Sequence, residues 1–331
     1  MFFNFYQKEY NYIRREKSFI NKLKLILKKE NILKNEVMSK HTTFKIGGPA
    51  KYFIKPTKYE QIIKIIKLCH NYKIKFFILG NGSNLLVSDS GFDGLIIQIK
   101  EDNFADLKFI KEDDNNYLAI VGAGVLMKKL SIEVGMKSLT GLEDIIDIPG
   151  TIGGGIIMNA SFLKTGLRDP LIKVIVITQE GELKELTKRQ CGFYHRGSII
   201  KDKKYIVIQA IFKLRKGNQL LIQKTMINNT KMRYNKQPMY LGSAGSFFVW
   251  YHSIHGSMYE KYKESKLVGY KVGNIMIYTD NVSFIVNLGE GTASQVMEIV
   301  TNVIKIMKEK YNINIRIEVI IIGSINNKDY F

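Results

Sequence analysis

FFILGNGSNLLVSD, residues 76–89, joins two bulky apolar runs across a turn of glycine, amide and hydroxyl residues. FFIL and LLV have the short, bounded character of buried strands. Between them Gly80 and Gly82 let the backbone bend and approach another molecule, and consecutive N–H groups in such a turn form a nest for an anion. A dinucleotide fingerprint needs GxGxxG at the opening of a helix. Here Leu85 stands where the third glycine belongs, and Leu85-Leu86-Val87 continues as a strand. No Walker lysine and hydroxyl follow, so the standard nucleotide loops are disfavoured.

Two further glycine stretches each follow an apolar strand: AIVGAGV (119–125) and IPGTIGGGIIMNA (148–160). Singly each reads as a tight turn. Three in one region, with Ser83, Asn84 and Thr151 interleaved, point to a large phosphate-bearing cofactor. Upstream, TTFKIGGPAKYFIKP (42–56) reads as strand, turn and strand, and YEQIIKIIKLCHNY (59–72) has apolar residues at helical spacing. With KFFILG these make a βαβ unit. Residues 95–215 are dominated by β-branched runs, with a helix near 126–136. LIQKTMINNTKMRYNKQ (221–237) reads as a helix, NVSFIVN (281–287) as a strand and INIRIEVIIIG (313–323) as the last strand. TASQVMEIVTNVIKIMKEKY (292–311) is an amphipathic helix whose Thr292 and Gln295 have capping-box spacing. Residues 7–36 read as a basic amphipathic helix, packed on the body or frayed.

At 331 residues the chain suits two or three domains. The class is α+β with a seam near 218, and the expected division is a basic helical extension (1–36), then 37–100, 101–217 and 218–331. An apolar content of 45% and a charged content of 24% are ordinary for a soluble protein. No apolar run approaches the roughly 18 residues of a membrane span. Cys69 and Cys191 form neither a metal motif nor a disulfide framework, which fits a reducing cytoplasm. The net charge of +20 is spread over scattered lysines in a chain rich in lysine, isoleucine and asparagine. That reads as compositional bias with a modest attraction for an anionic substrate, since no nucleic-acid-binding motif accompanies it.

Three residues could carry chemistry. Ser246, in LGSAGSFFVWYH (241–252), follows small residues that admit another molecule, so it is either a proton donor or part of a turn. Arg196, in CGFYHRGS (191–198), is either a fixed guanidinium for a carboxylate or a solvated charge. Glu318 shares a strand face with Arg316, Ile320 and Ile322, and is either a partly buried functional acid or the partner of Arg316. The five histidines have no spacing that suggests a metal site or a triad; His252 and His255 read as loop residues.

TTFKIGGPA, LGNGSNLLVSD and GLEDIIDIPGTIGG, in this order and spacing, resemble the UDP-N-acetylenolpyruvoylglucosamine reductases, over about residues 39–323. The resemblance implies a two-subdomain FAD-binding domain of the vanillyl-alcohol-oxidase type (37–100 and 101–217), then a C-terminal α/β substrate domain, in the shorter form of the family. It implies FAD held by Thr43, Ile46, Gly47, Gly80, Asn81, Gly82, Ser83, Asn84, Pro149, Gly150, Thr151, Gly153 and Gly154. It implies NADPH as reductant and UDP-N-acetylglucosamine enolpyruvate as substrate, near Arg233, Lys236 and Gly245. Arg196, Ser246 and Glu318 align with the family's catalytic residues, and no metal is implied. A cytoplasmic monomer without nucleic-acid or membrane partners is expected. Solvated helix-end charges are the other reading of Arg233 and Lys236. The chain also departs from the family: Val249, Trp250 and Tyr251 replace lysine, asparagine and proline, and His195 a tyrosine. Tyr278 and Asn281 replace a serine and a histidine, and Asp147 a glycine. These bear on the substrate more than on FAD. The competing readings are another flavin oxidoreductase of this FAD-binding class acting on an alcohol or sugar, and a catalytically decayed nucleotide or nucleic-acid binder.

Overall fold

The computed structural model describes residues 2–100, 104–163 and 165–324, with side chains from Arg14 onward. Helix α1 spans Phe2–Ile26. The helical reading of residues 7–36 therefore overshoots. Lys28 is already extended, and Ile32–Val37 forms strand β1, paired antiparallel with β2 (Pro49–Ile54) so that Ile32 faces Ile54. Pairing with a sheet edge overrides the weak local preference of a lysine-rich segment. Phe19, Ile20, Leu23 and Leu27 of this segment are buried in one stripe against Tyr52, Ile54, Ile65, Leu68 and Leu95. The extension is thus part of the core.

TTFKI is not a strand. Met38–His41 forms a 3-10 turn, and Lys45 and Gly47 take positive φ values of 57° and 138°. Extended structure cannot pass through those residues, and Thr42 Oγ1 donates to the Ile46 carbonyl at 3.0 Å across the loop. Helix α2 (Tyr59–Tyr72) then leads to β3 (Phe76–Leu79), β4 (Leu85–Val87) and β5 (Phe92–Gln98). The first sheet runs β1-β2-β5-β3, so β5 inserts between the two parallel strands that α2 connects. Strand β4 leaves that sheet and pairs in parallel with Ile320–Ile322.

A second, antiparallel sheet is built from β6 (Leu107–Lys111), β7 (Asn116–Gly122), β8 (Leu171–Ile177), β9 (Leu183–Thr187) and β10 (Ile206–Lys216), in the order β9-β8-β10-β7-β6. Helices α3 (Met127–Met136) and α4 (Ile152–Ile157) lie between its strands in sequence and pack into its core through Met127, Leu130, Val134, Ile152 and Ile156.

Helix α5 (Gln219–Lys236) follows the expected seam. Beyond it, β11 (Gly242–Ser246), β12 (Phe248–Val249), β13 (Ile275–Ile277) and β14 (Phe284–Asn287) precede α6 (Ala293–Tyr311). Thr292 and Gln295 close a reciprocal capping box on α6, which buries Val296, Val300, Val303 and Met307. The last strand is broken. Strand β15 (Arg316–Ile317) pairs with β12, whereas β16 (Ile320–Ile322) pairs with β4. Each half is drawn to a different partner, so the alternation that set Arg316, Glu318, Ile320 and Ile322 on one face fails at Glu318.

Candidate active site

The glycine turns come together. Thr43 donates its N–H to the Gly82 carbonyl at 3.2 Å and its hydroxyl to the Ser243 carbonyl at 2.7 Å. A β-carbon on Gly80 would stand 2.6 Å from Thr151 Oγ1, and one on Gly150 would stand 3.3 Å from Ser83 Oγ. A β-carbon on Gly245 would lie 4.0 Å from the Ser83 carbonyl oxygen, so β11 borders the same turn. Among the described residues none accepts a hydrogen bond from the N–H groups of Asn81, Gly82, Ser83 or Asn84. Four consecutive uncommitted donors on one turn are the chemistry of an anion nest. A β-carbon on Gly82 would strike the His41 carbonyl oxygen at 2.2 Å, and in the AIVGAGV stretch β-carbons on Gly122 and Gly124 would strike the backbone oxygens of Phe104 at 2.4 Å and Lys100 at 2.7 Å. Those glycines serve close packing.

Arg196 has φ +59° in a turn closed by hydrogen bonds from Tyr194 N–H to the Gly197 carbonyl, 3.1 Å, and back, 3.2 Å. A left-handed arginine costs about 1 kcal/mol or more and persists where its surroundings hold it. Two hydrogen bonds to the end of α4 do so. Asn159 Nδ2 donates to the Tyr194 carbonyl at 2.8 Å, and Ser198 Oγ of the same loop donates to the Ile157 carbonyl at 2.9 Å. Arg196 Nε lies 3.1 Å from Glu318 Oε1, close enough for an ion pair, yet the buried Nε–H is not aimed to form a hydrogen bond. The Glu318 side chain is 13% exposed. Burial pushes its carboxyl up, and Arg196 and Lys201 pull it only part of the way back. Arg316 is not its partner, since Arg316 Nη2 donates to the Tyr251 hydroxyl at 3.0 Å.

Ser246 ends β11 after a bulge that includes Gly245 at φ +81°. Its Oγ lies 3.3 Å from Ser283 Oγ, whose hydroxyl donates to Asn281 Oδ1 at 2.6 Å. The Phe248–Ile317 pairing continues through Glu318 N–H donating to the Phe247 carbonyl at 2.9 Å. Ser246 and Glu318 therefore arrive on adjacent backbone segments, one register step apart. Asn84 Nδ2 of the anion-nest turn donates to the Glu318 carbonyl at 3.3 Å, which ties this pair to the glycine turns.

Arg233 and Lys236 separate. Arg233 is 5% exposed, lies 4.7 Å over the Phe162 ring and keeps Nε without a hydrogen bond. Burial pulls its pKa down to about 10, opposed by Asp147. It is not the solvated helix-end charge that the sequence left open. Lys236 is exposed, and its carbonyl accepts from Asn281 Nδ2 at 2.9 Å. Asp147, in the left-handed region at φ +57°, is 7% exposed and binds Lys128 Nζ at 2.7 Å and Thr230 Oγ1 at 2.6 Å. Sequence reasoning had not singled out Asn159, Ser283, Asn281 as a partner of Ser283, or Lys128. Their partners are between 2 and 45 residues away, and no local pattern marks those that are distant.

An FAD-binding-domain family profile matches residues 50–187, and a profile for the C-terminal domain of UDP-N-acetylenolpyruvoylglucosamine reductase matches residues 237–322. The chain is 36% identical over 310 residues to the UDP-N-acetylenolpyruvoylglucosamine reductase of Lachnoclostridium phytofermentans, covering 92% of this chain and 97% of that protein. It belongs to the UDP-N-acetylenolpyruvoylglucosamine reductase family. The Clostridium tetani reductase is 35% identical over 93% of this chain and 97% of its own length. The crystal structure of the Thermus caldophilus reductase superimposes with a TM-score of 0.72 at 28% identity, covering 87% of this chain and 98% of that one. The fold is thus an FAD-binding domain followed by the reductase family's C-terminal domain, and the cofactor of the family is FAD. No helix among the described residues is long and apolar enough to cross a membrane.

Proposed function

We propose that the protein reduces the enolpyruvyl ether of UDP-N-acetylglucosamine enolpyruvate, with NADPH as reductant, giving UDP-N-acetylmuramate for peptidoglycan synthesis. The observation that carries this reading is the meeting of the Arg196–Glu318 pair with Ser246 beside the free N–H groups of residues 81–84. FAD held at this site would supply hydride chemistry for one carbon of the double bond, with NADPH as the source of the electrons. Asn81, Gly82, Ser83 and Asn84 would hold the FAD pyrophosphate through backbone N–H groups. Thr43, Ile46, Gly47, Pro149, Gly150, Thr151, Gly153 and Gly154 would shape the cradle around it.

The protein's own share of the chemistry is charge and a proton. Arg196 would bind the substrate carboxylate and spread the negative charge that develops as the double bond is reduced. Ser246 would deliver its hydroxyl proton to the neighbouring carbon. Ser283 is suited to support Ser246 once that proton has left. Its own hydroxyl is committed to Asn281 at rest, and it can turn to donate to the serine oxygen. Glu318, with its carboxyl pushed up by burial, would hold Arg196 and favour the protonated state of the site. Lys236, Arg233 and Gly245 would line the approach of the nucleotide. In this reading residues 37–100 and 101–217 are the two flavin subdomains and 218–331 the substrate domain, in a cytoplasmic monomer.

The test is the visible spectrum of the flavin-loaded protein under anaerobic conditions. NADPH should bleach it and the enolpyruvyl nucleotide should restore it. Ser246→Ala should bleach normally and be restored about 10²- to 10⁴-fold more slowly. Restoration at the unaltered rate would remove Ser246 from the mechanism, and a flavin that never responds to the nucleotide would sink the reductase reading.

A further inference from the structure

Beside the Arg196–Glu318 pair lies a second cluster that the chemistry above does not use. His195 shares the turn with Arg196, and its ring centre lies 5.1 Å from that of Tyr251 at an angle of 44°. The Tyr251 hydroxyl accepts from Arg316 Nη2 at 3.0 Å, which fixes the guanidinium at the rim of the site. An imidazole, a phenol and a guanidinium thus meet where β15, the segment after β12 and the turn at 194–197 come together. The nearby carboxylates are engaged elsewhere. Glu318 faces Arg196, and Asp202 accepts from the Tyr194 hydroxyl at 2.6 Å. Among the described residues no carboxylate lies within ion-pair distance of Arg316 or His195. Burial and then the charges of Arg196 and Arg316 push the His195 pKa down, so fixed positive charge is in excess here.

We infer that Arg316, Tyr251 and His195 form a binding site for the diphosphate of a nucleotide ligand. A guanidinium offers paired N–H donors to phosphate oxygens, and the phenol and imidazole can each donate one more. The inference rests on the reductase reading, which brings two diphosphates to the protein: that of the enolpyruvyl nucleotide and that of the dinucleotide reductant. Position favours the enolpyruvyl nucleotide. Arg316 precedes Glu318 by two residues, about 7 Å along an extended chain. In a UDP-sugar carrying an enolpyruvyl ether, the hexose ring spans the gap between the ether oxygen and the diphosphate. The turn presents the same order on its own side, with Arg196 toward Glu318 and His195 toward Tyr251. Tyr251 and His195 are also departures from the family's usual residues, so the contact belongs to this chain.

The experiment compares flavin-loaded wild-type protein with Arg316→Gln, an exposed position whose change leaves the core untouched. Calorimetric titration with UDP-N-acetylglucosamine and with inorganic pyrophosphate gives affinities that do not depend on turnover, and KM for NADPH is measured alongside. Loss of a charged hydrogen bond should weaken both titrated ligands by about tenfold or more, with KM for NADPH unmoved. Affinity should also fall with added salt in the wild type and less steeply in the variant. A rise in KM for NADPH with nucleotide affinity unchanged would assign the site to the reductant's diphosphate. No change in any of the three, with flavin content preserved, overturns the inference. A wild-type protein that binds UDP-N-acetylglucosamine but fails to reduce the enolpyruvyl ether would sink the reductase reading while leaving the diphosphate site standing.

Discussion

Replacing Asp147 with asparagine isolates one buried charge that joins the flavin-binding half to helix α5. Asparagine keeps the shape, tolerates φ +57° and can still accept from Thr230, so the carboxylate charge is what changes. Of its two basic neighbours, the Lys128 side chain is 56% exposed and recovers water when its partner is neutralised. Arg233 is 5% exposed and its Nε already lacks a hydrogen bond, so it bears the loss of a counter-charge almost unrelieved. A lost charged hydrogen bond costs about 1.5–3 kcal/mol, and a buried pair broken from one side 3–5 kcal/mol. Lys128 recovers solvation and Arg233 is not in direct ion-pair contact, so the expected cost is about 2–3 kcal/mol. The pH dependence has a definite sign. Burial raises the Asp147 carboxyl, but the hydrogen bonds from Lys128 and Thr230 outweigh it and the net shift is downward. A depressed carboxyl contributes stability above its unfolded value of about 4, and that stability is lost as pH falls through the lower folded value. Urea midpoints at saturating FAD should therefore separate wild type from Asp147→Asn near pH 7 and converge as the pH drops below about 4. A difference under about 0.5 kcal/mol at pH 7 would refute the reasoning, as would a difference that widens in acid.

Leu23→Ala should cost about 2–5 kcal/mol by urea unfolding, because Leu23 is fully buried against the first sheet; a neutral outcome would mean that α1 is not part of the core. Gly80→Ala places a β-carbon 2.6 Å from Thr151 Oγ1 and should abolish FAD retention while far-UV circular dichroism stays native. Full flavin occupancy in that variant would remove the Gly80 turn from the cofactor site. Glu318→Gln should lower turnover by about 10²-fold yet raise thermal stability at pH 7. The sign follows from burial pushing the carboxyl up: Glu318 costs stability above its unfolded value, so the advantage of glutamine should vanish as pH falls below about 4. An unchanged or lower melting temperature at pH 7 would contradict it.

Much of this protein was legible in its sequence because the signals were local. Thr292 and Gln295 announce the start of α6 within one turn of chain, and the apolar spacing of residues 59–72 marks α2. The turns at 80–84 and 149–154 are visible because closely approaching backbones require glycine. Tertiary structure decided the rest, because pairing energies there exceed local preference. A lysine-rich segment that reads as helix becomes β1 because the edge of β2 offers hydrogen bonds to Ile32–Val37. The final apolar run reads as one strand, but β12 and β4 compete for its two halves, and the break at Glu318 turns that acid toward Arg196. Arg233 shows the same limit: its exposure at a helix end cannot be judged without knowing that Phe162 and Asp147 close over it. Sequence by itself determined which segments can be helices, strands and close-approach turns, since those depend on neighbours a few residues apart. Which charge faces which, and which residues share the site, depended on contacts across as many as 243 residues, such as Asn287 Nδ2 donating to the Phe44 carbonyl. Such contacts form only when the chain has folded, and no pattern of near neighbours encodes them.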